Sequence, residues 1–119
     1  MGPFANAAVG NVDDHLKNFW MLAKPGGYRL APAFDLLPDI AGRVLHTLSF
    51  RSSFACPNYA DLMTIADEWK VSEAGKVISQ VTKAVRTFEP TAQKFTVQGG
   101  ESLQGISADI RGRLKAIGD

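Results

Sequence analysis

The sequence predicts a mainly α fold of the α+β type, in which a helical bundle packs beside one small β-hairpin. Three observations carry this prediction. Of the 119 residues, 45% are hydrophobic and 21% are charged, which is typical of a globular chain. Residues 58–117 show apolar residues at helical spacing, whereas residues 1–57 hold five of the six prolines and no glutamate. The length fits one modest domain, residues 1–119, with a loop and the hairpin in the part at 1–57 and the bundle at 58–119.

The first half is predicted to contain a helix end and the hairpin. The apolar, alanine-rich residues 4–9 favour a helix that we expect to begin before Met1, and the glycine and asparagine after it suit its end. Apolar residues 19–23 and 28–31 flank the sequence Lys-Pro-Gly-Gly, which predicts a hairpin with a four-residue loop. Residues 44–50 are interpreted as a further strand or an extended segment.

The second half is predicted to form four helices. Asn58 suits the N-cap of the first and Ser72 that of the second, because short polar side chains accept hydrogen bonds from the first backbone N–H groups. Pro90 suits the start of a third helix that ends near Gly99. A last helix follows despite the cost of two internal glycines. The apolar positions expected to face the core are Leu62, Ile65, Ala66, Trp69, Ala74, Val77, Ile78, Val81, Val85, Phe88, Leu103, Ile106, Ile110, Leu114 and Ile117.

The charge balance argues against a strongly basic nucleic-acid binder. Thirteen Lys and Arg against twelve Asp and Glu leave a net charge of +1. The last helix carries a small basic cluster of Arg111, Arg113 and Lys115, with acidic residues nearby, which we interpret as a solvated face. A DNA-binding helical domain is therefore a minor alternative.

Cysteine content and hydropathy indicate a cytoplasmic protein. The single cysteine, Cys56, excludes an internal disulfide and a cysteine-rich zinc site, and it is interpreted as a buried spectator in a reducing compartment. The longest apolar run, residues 19–23, is too short to cross a bilayer, so we expect no contact with a membrane. The first residues do not resemble a signal peptide.

Chemically reactive side chains concentrate around the predicted hairpin. If its strands pair across the Lys-Pro-Gly-Gly loop, Asn18 lies opposite Ala33, and Asp35 is two residues further on. An amide oxygen and a carboxylate would then meet at the open end of the hairpin, with Asp13 on the loop that enters it. Hard oxygen ligands completed by phosphates and water suit Mg²⁺ better than zinc. A second carboxylate kept off the metal could orient a hydroxyl group or accept its proton.

This arrangement resembles a protein-kinase catalytic loop, in which an Asp is followed five residues later by an Asn on Mg²⁺ and a hairpin leads to a second Asp. The sequence of this region closely resembles that of the HipA-like kinases, the toxin halves of bacterial toxin–antitoxin pairs. Their catalytic loop has the form Asp-x-His-x-x-Asn, and a hairpin and a Leu/Ala-x-Pro-x-Tyr/Phe-Asp segment follow. Here residues 13–18 read Asp-Asp-His-Leu-Lys-Asn and residues 30–35 read Leu-Ala-Pro-Ala-Phe-Asp. The resemblance extends over residues 4–40.

The resemblance implies a role for each matching residue. Asp13 would be the catalytic base or the group that orients the substrate hydroxyl. Asn18 and Asp35 would hold Mg²⁺ on the phosphates of ATP. Lys17 would have a modest electrostatic role near the phosphate, and His15 would hold the loop by hydrogen bonds.

Three other polar residues receive no catalytic role. Asp14 is one residue too close to Asn18 to match the base of the motif. Asn11 is expected to shape the loop. His46 is interpreted as a strand or loop residue, because no second His or Cys lies at metal-ligand spacing.

The sequence contains no glycine-rich phosphate loop and no matching clamp lysine, both of which a phosphoryl-transfer site needs. In the resembled family these parts lie upstream. We therefore expect the chain to be the C-terminal-lobe fragment of a HipA-like serine/threonine kinase, inactive alone. The complete enzyme would transfer phosphate from Mg-ATP to a protein hydroxyl. A truncated gene product, an expressed fragment and one subunit of a split kinase all fit.

A missing half would leave apolar surface uncovered, which we expect near Phe4, Phe19 and Trp20. The expected partners are a chain that carries the N-terminal lobe, an antitoxin-like protein or a second copy of this chain. The alternative function is a non-catalytic helical module that binds such a partner and keeps the kinase residues as relics.

Overall fold

The computed structural model describes residues 2–39, 43, 45–50, 53–94 and 100–118. These residues form a mostly helical α+β fold, which confirms the predicted class, with two antiparallel strand pairs where the sequence predicts one hairpin. None of the helices in these ranges combines the length and hydropathy needed to cross a membrane. In chain order the elements are α1 (Gly2–Val9), a 3₁₀ helix (Leu16–Asn18), β1 (Met21–Lys24), β2 (Gly27–Leu30), β3 (Leu45–Phe50), β4 (Ser53–Ala55), α2 (Tyr59–Glu68), α3 (Ala74–Val85), α4 (Phe88–Lys94) and α5 (Gly100–Gly118).

Helices α1, α2, α3 and α5 enclose one apolar core, and most of the predicted stripe positions lie in it. Trp69 is an exception, with 71% of its surface exposed. Helix α2 ends at Glu68, and Lys70 has a left-handed φ of 55°, so the chain leaves the helix before Trp69 can turn inward. Phe4, expected near uncovered surface, is buried instead. The buried cluster consists of Phe4, Ala8, Leu62, Ala66, Ala74, Ile78, Val81, Ile110, Leu114 and Ile117.

The structure has the predicted N-cap at the start of α2 but not at the start of α3. Asn58 forms a full capping box: its side chain accepts from the Asp61 N–H (2.9 Å), and the Asp61 carboxylate accepts from the Asn58 N–H (3.0 Å). The predicted Ser72 cap is wrong. Residue Glu73, with a left-handed φ of 54°, precedes α3 and makes no side-chain cap. The chain therefore enters α3 through a tight backbone turn.

Helix α4 begins two residues before the predicted start at Pro90. Thr87 precedes the helix, and its carbonyl accepts the Thr91 N–H (3.0 Å). Pro90 therefore lies within the first turn, where its missing N–H would have no partner in any case. The predicted end near Gly99 lies outside the described residues.

The β1–β2 hairpin has the predicted register. Ala23 pairs with Tyr28, and the pairing continues beyond the strands because Ala31 N–H donates to the Trp20 carbonyl (2.7 Å). The loop is shorter than predicted: Lys24 pairs with Gly27, which leaves a two-residue turn with a positive φ at its glycine, as a type II turn requires. All eight strand residues are exposed.

Helix α1 ends at Val9, and the close approach of α5 requires a glycine at the next position, Gly10. Gly10 has a φ of 73°, and the next N–H, of Asn11, bonds back to the Asn6 carbonyl (3.0 Å), which is a helix-ending motif. A Cβ atom at Gly10 would lie 2.7 Å from Arg113 Nε and 2.8 Å from Asp109 Oδ2. The two side chains of α5 therefore pack directly on the backbone where the loop of residues 11–18 begins.

We expect Gly10→Ala to lower the free energy of unfolding by about 2 kcal/mol, because a left-handed residue with a Cβ costs roughly 1–2 kcal/mol and the Arg113–Asp109 pair would have to move. Gly112→Ala is the matched control. An added Cβ there meets no heavy atom within 4 Å, so the helix should gain about 0.5–1 kcal/mol. Urea denaturation followed by circular dichroism measures both variants, and equal effects of the two substitutions would contradict the close approach at Gly10.

Candidate functional site

The predicted site residues Asn18 and Asp35 contact each other at the open end of the hairpin. The Asn18 side-chain Nδ2 donates to Asp35 Oδ2 (3.3 Å) and to the backbone carbonyl of Asp13 (3.2 Å). The hairpin register explains this contact, since the pairing at Trp20 and Ala31 carries the two chains past the strand ends side by side. The structure thus brings together the three residues to which the sequence assigns the main chemistry.

The carboxylate of Asp13 is accessible from solvent. About half of its side chain is exposed, and it lines the same cleft of about 210 Å³ as Asp35. Its Oδ1 lies 3.0 Å from His15 Nε2, so His15 contacts Asp13 as a loop-holding residue would. Lys17 is exposed, and within the described part of the chain its hydrogen bond is made by its carbonyl, which accepts from Trp20 Nε1 (2.7 Å). The predicted electrostatic role of Lys17 stays a prediction.

Asp35 has a left-handed backbone, with a φ of 53°. This conformation is uncommon for a residue other than glycine, and such strain occurs preferentially at functional positions. Asn11 helps to hold it, because its Nδ2 donates to the Asp35 carbonyl (3.3 Å) and to Asn6 Oδ1 (3.2 Å). Asn11 therefore connects the end of α1, the loop of residues 11–18 and the segment after the hairpin.

The oxygen donors fit a hard cation such as Mg²⁺. The hydrogen bonds of the Asn18 amide to Asp13 and Asp35 both use Nδ2, so its Oδ1 takes part in neither of them and could serve as a ligand. Among the described residues, no group of three or more His, Cys, Asp or Glu is placed to hold a metal. A cation at the Asn18–Asp35 pair would therefore take the rest of its coordination shell from phosphate and water, which is the usual state of Mg²⁺.

A buried polar cluster behind the loop was missed by sequence reasoning. Asp14 is 2% exposed, and its Oδ1 accepts from the backbone N–H groups of Thr47 and Leu48, both at 3.0 Å. Its Oδ2 lies 3.3 Å from Nδ1 of His46, which is 3% exposed. Side chains in a strand alternate between its two faces, and His46 lies in β3 between the exposed residues Leu45 and Thr47. This alternation was a signal for the burial of His46. No local pattern indicated its partner 32 residues away.

Burial lowers the pKa of His46 below its ordinary value of 6.5, although the Asp14 carboxylate opposes the shift; the positive charge of Arg113 also lowers it. The unfolded chain therefore binds a proton at His46 before the folded chain does. Stability from the neutral imidazole is fully present above pH 6.5 and decreases as the pH falls toward the lower pKa of the folded state.

We expect the free energy of unfolding to fall more steeply in the wild type than in His46→Asn as the pH decreases from about 8 to about 5.5. The asparagine keeps an N–H donor for Asp14 but has no group that titrates in this range. Urea denaturation at a series of pH values measures both slopes. Parallel slopes would mean that His46 titrates alike in the folded and unfolded chains.

Two other sequence interpretations change in the structure. Cys56 is half-buried rather than buried, and burial raises the pKa of its thiol, which suits an unreactive residue. The basic cluster of the last helix does not form one solvated face, because Arg113 is 9% exposed and pairs with Asp109, while Arg111 pairs with Glu89.

The family comparison agrees with the motif. The family model described as the HipA-like C-terminal domain matches residues 3–89, which include α1, the candidate site, both strand pairs, α2 and α3. Helix α5 lies outside the matched range. The comparison with curated proteins found no significant match.

Proposed function

Because the chain belongs to the family of HipA-like C-terminal domains, we propose that it supplies the catalytic and metal-binding part of a protein serine/threonine kinase. The observation that carries the proposal is the contact of Asn18 with Asp35 beside Asp13, with the spacing and order of a kinase catalytic loop. The exposed carboxylate of Asp13 and the available amide oxygen of Asn18 support separate roles in proton handling and metal binding.

In the complete kinase, the hydroxyl oxygen of a protein side chain attacks the γ-phosphorus of ATP, and the bond to the β-phosphate oxygen breaks. Asp13 orients this hydroxyl and takes up its proton. Asn18 and Asp35 would hold the Mg²⁺ ion, which would supply positive charge to the phosphates. The bond from Asn18 Nδ2 to the Asp13 carbonyl connects the side chain of a proposed metal ligand to the backbone of the proposed proton acceptor.

The chain alone is proposed to bind ATP·Mg²⁺ weakly and to transfer negligible phosphate, because a nucleotide clamp has to come from outside these 119 residues. The proposed sources are an N-terminal lobe of the same protein or a separate chain. The lone thiol of Cys56 fits a reducing compartment, and we place the protein in the cytoplasm.

The exposed hairpin supports the second candidate function, a helical module that binds a partner. Both strands are exposed along their whole length, and Trp20 and Met21 keep 64% and 57% of their surface in solvent. A two-stranded hairpin is marginally stable by itself, so covering it would be favourable. A nucleotide-binding lobe, an antitoxin-like protein or a second copy would suit this surface. Such a module would not need to bind a metal.

Binding of Mn²⁺, a paramagnetic substitute for Mg²⁺, separates the two functions. We expect the chain to bind Mn²⁺ in the presence of pyrophosphate, and Asp35→Asn to weaken binding at least tenfold, because one of two protein ligands loses its charge. Water-proton relaxation measures the affinity. Asp13→Asn should leave the affinity within about twofold, since its carboxylate lies off the metal.

Asp67→Asn is the matched control, because Asp67 is exposed on α2 and belongs neither to the cleft nor to the Asn18–Asp35 pair. An affinity that responds equally to Asp35→Asn and Asp67→Asn, or no binding by the wild type, would contradict the kinase proposal and favour the partner-binding module.

A further inference from the structure

We propose that Asp14 is a positioning residue: it fixes the catalytic loop to β3 and so sets the position of Asp13 and of the metal pair Asn18–Asp35. This inference rests on the proposed function, because it takes those three residues as the reacting part of the site. Asp14 itself is buried and faces away from the cleft, so it acts through its neighbours and not on a substrate.

The loop is attached to β3 on both sides of Asp13. On one side, the Val12 carbonyl accepts from the Thr47 N–H (2.8 Å) and from Thr47 Oγ1 (3.0 Å). On the other, Asp14 Oδ1 accepts from the N–H groups of Thr47 and Leu48. Val12 and Asp14 are 1% and 2% exposed, whereas the Asp13 side chain between them is 52% exposed. The buried neighbours thus turn Asp13 outward into the cleft.

The backbone of the loop also connects this attachment to the metal pair Asn18–Asp35. The Asp13 carbonyl accepts from Asn18 Nδ2 (3.2 Å), and that nitrogen also donates to Asp35 Oδ2 (3.3 Å). Asn11, one residue before the attached segment, donates to the Asp35 carbonyl (3.3 Å). A loop that moved away from β3 would therefore displace both metal ligands together with Asp13.

A carboxylate suits this position because it accepts several hydrogen bonds at once. Asp14 Oδ1 accepts two backbone N–H groups, and Oδ2 accepts from the Nδ1–H of a neutral His46. Asp14→Ala would leave the Leu48 N–H and the His46 Nδ1–H without this acceptor, while the Thr47 N–H would keep its bond to the Val12 carbonyl. Unpaired donors are costly, and a folded chain avoids them by opening the loop locally. Asp14→Asn keeps one oxygen acceptor of nearly the same size and is the conservative variant.

Hydrogen exchange at the Asn18 amide tests the positioning directly, because this N–H bonds the His15 carbonyl (2.9 Å) and not Asp14. In Asp14→Ala we expect it to exchange at least tenfold faster, while amides of α2 and α3 keep their protection. Asp14→Asn should restore most of the protection. Unchanged exchange at the Asn18 amide in Asp14→Ala would overturn the proposal. An equal loss of protection at the amides of α2 and α3 would also overturn it, because it would indicate that Asp14 has a purely structural role.

Mn²⁺ affinity is the second measurement on the same variants. We expect Asp14→Ala to weaken Mn²⁺ binding about tenfold, as loss of a residue that supports metal ligands commonly does, and Asp14→Asn to recover it. Asp67→Ala is the control. If the wild type binds no Mn²⁺, the kinase proposal fails while the exchange result still decides the positioning. If the wild type binds and Asp14→Ala binds equally well, the positioning role fails and the metal site remains.

Discussion

Asp13→Asn is expected to reduce phosphoryl transfer roughly a hundredfold or more if the proposed kinase is assembled with a nucleotide-binding part, the magnitude typical of a lost general base. The substitution keeps the size of the side chain and the backbone carbonyl to which Asn18 donates, so it would remove the proposed proton acceptor without disturbing the Asn18–Asp35 pair. The measurement is kcat for transfer from γ-labelled ATP to a protein substrate.

The control for this prediction is Mn²⁺ binding by the same variant, which should stay close to that of the wild type. A combined loss of transfer and metal binding would place Asp13 among the metal ligands. Full activity of Asp13→Asn would mean that another group handles the proton, and Asp14 is too deeply buried to replace it.

Leu62→Ala is expected to lower the free energy of unfolding by about 3–5 kcal/mol. Leu62 is 0% exposed and lies at the centre of the cluster formed by α1, α2, α3 and α5, so truncation removes buried surface and leaves a cavity. Urea denaturation measures the change. Leu16→Ala is the matched control: this leucine is 73% exposed, and its truncation should change stability by less than about 0.5 kcal/mol. Equal losses in both variants would mean that the described core does not stabilise the chain.

The parts of the site that follow local rules could be predicted. Pairing of the hairpin strands is set by the turn residues, so the register at Ala23 and Tyr28 and the approach of Asn18 to Asp35 were accessible from the sequence. The helix stripes were accessible for the same reason, since an apolar repeat of 3.6 residues specifies which face is buried. The division of the chain at residues 57 and 58 stays a prediction.

The parts that depend on distant contacts or on unusual backbone could not be predicted. The bond of Asp14 to His46 joins residues 32 positions apart, and nothing in either neighbourhood identifies the other. The left-handed conformations of Lys70 and Glu73 shifted the exit from α2 and the entry to α3, which left Trp69 exposed. Such conformations are costly for residues with a Cβ, so local propensity points away from them.

The packing of α5 shows how a segment outside the family match supports the site. Arg113 lies against the backbone at Gly10, between α1 and the loop of residues 11–18, and its positive charge lowers the pKa of both His46 and Cys56. The last helix therefore contributes to the environment of this loop as well as to the core.

Anomalous diffraction from crystals of this chain grown with Mn²⁺ and pyrophosphate tests the proposed metal site most directly. We expect an anomalous peak bonded to Asn18 Oδ1 and the Asp35 carboxylate, with Asp13 close by but outside the coordination shell. The absence of a peak at this pair, or a peak bonded to Asp13 in place of Asp35, would contradict it.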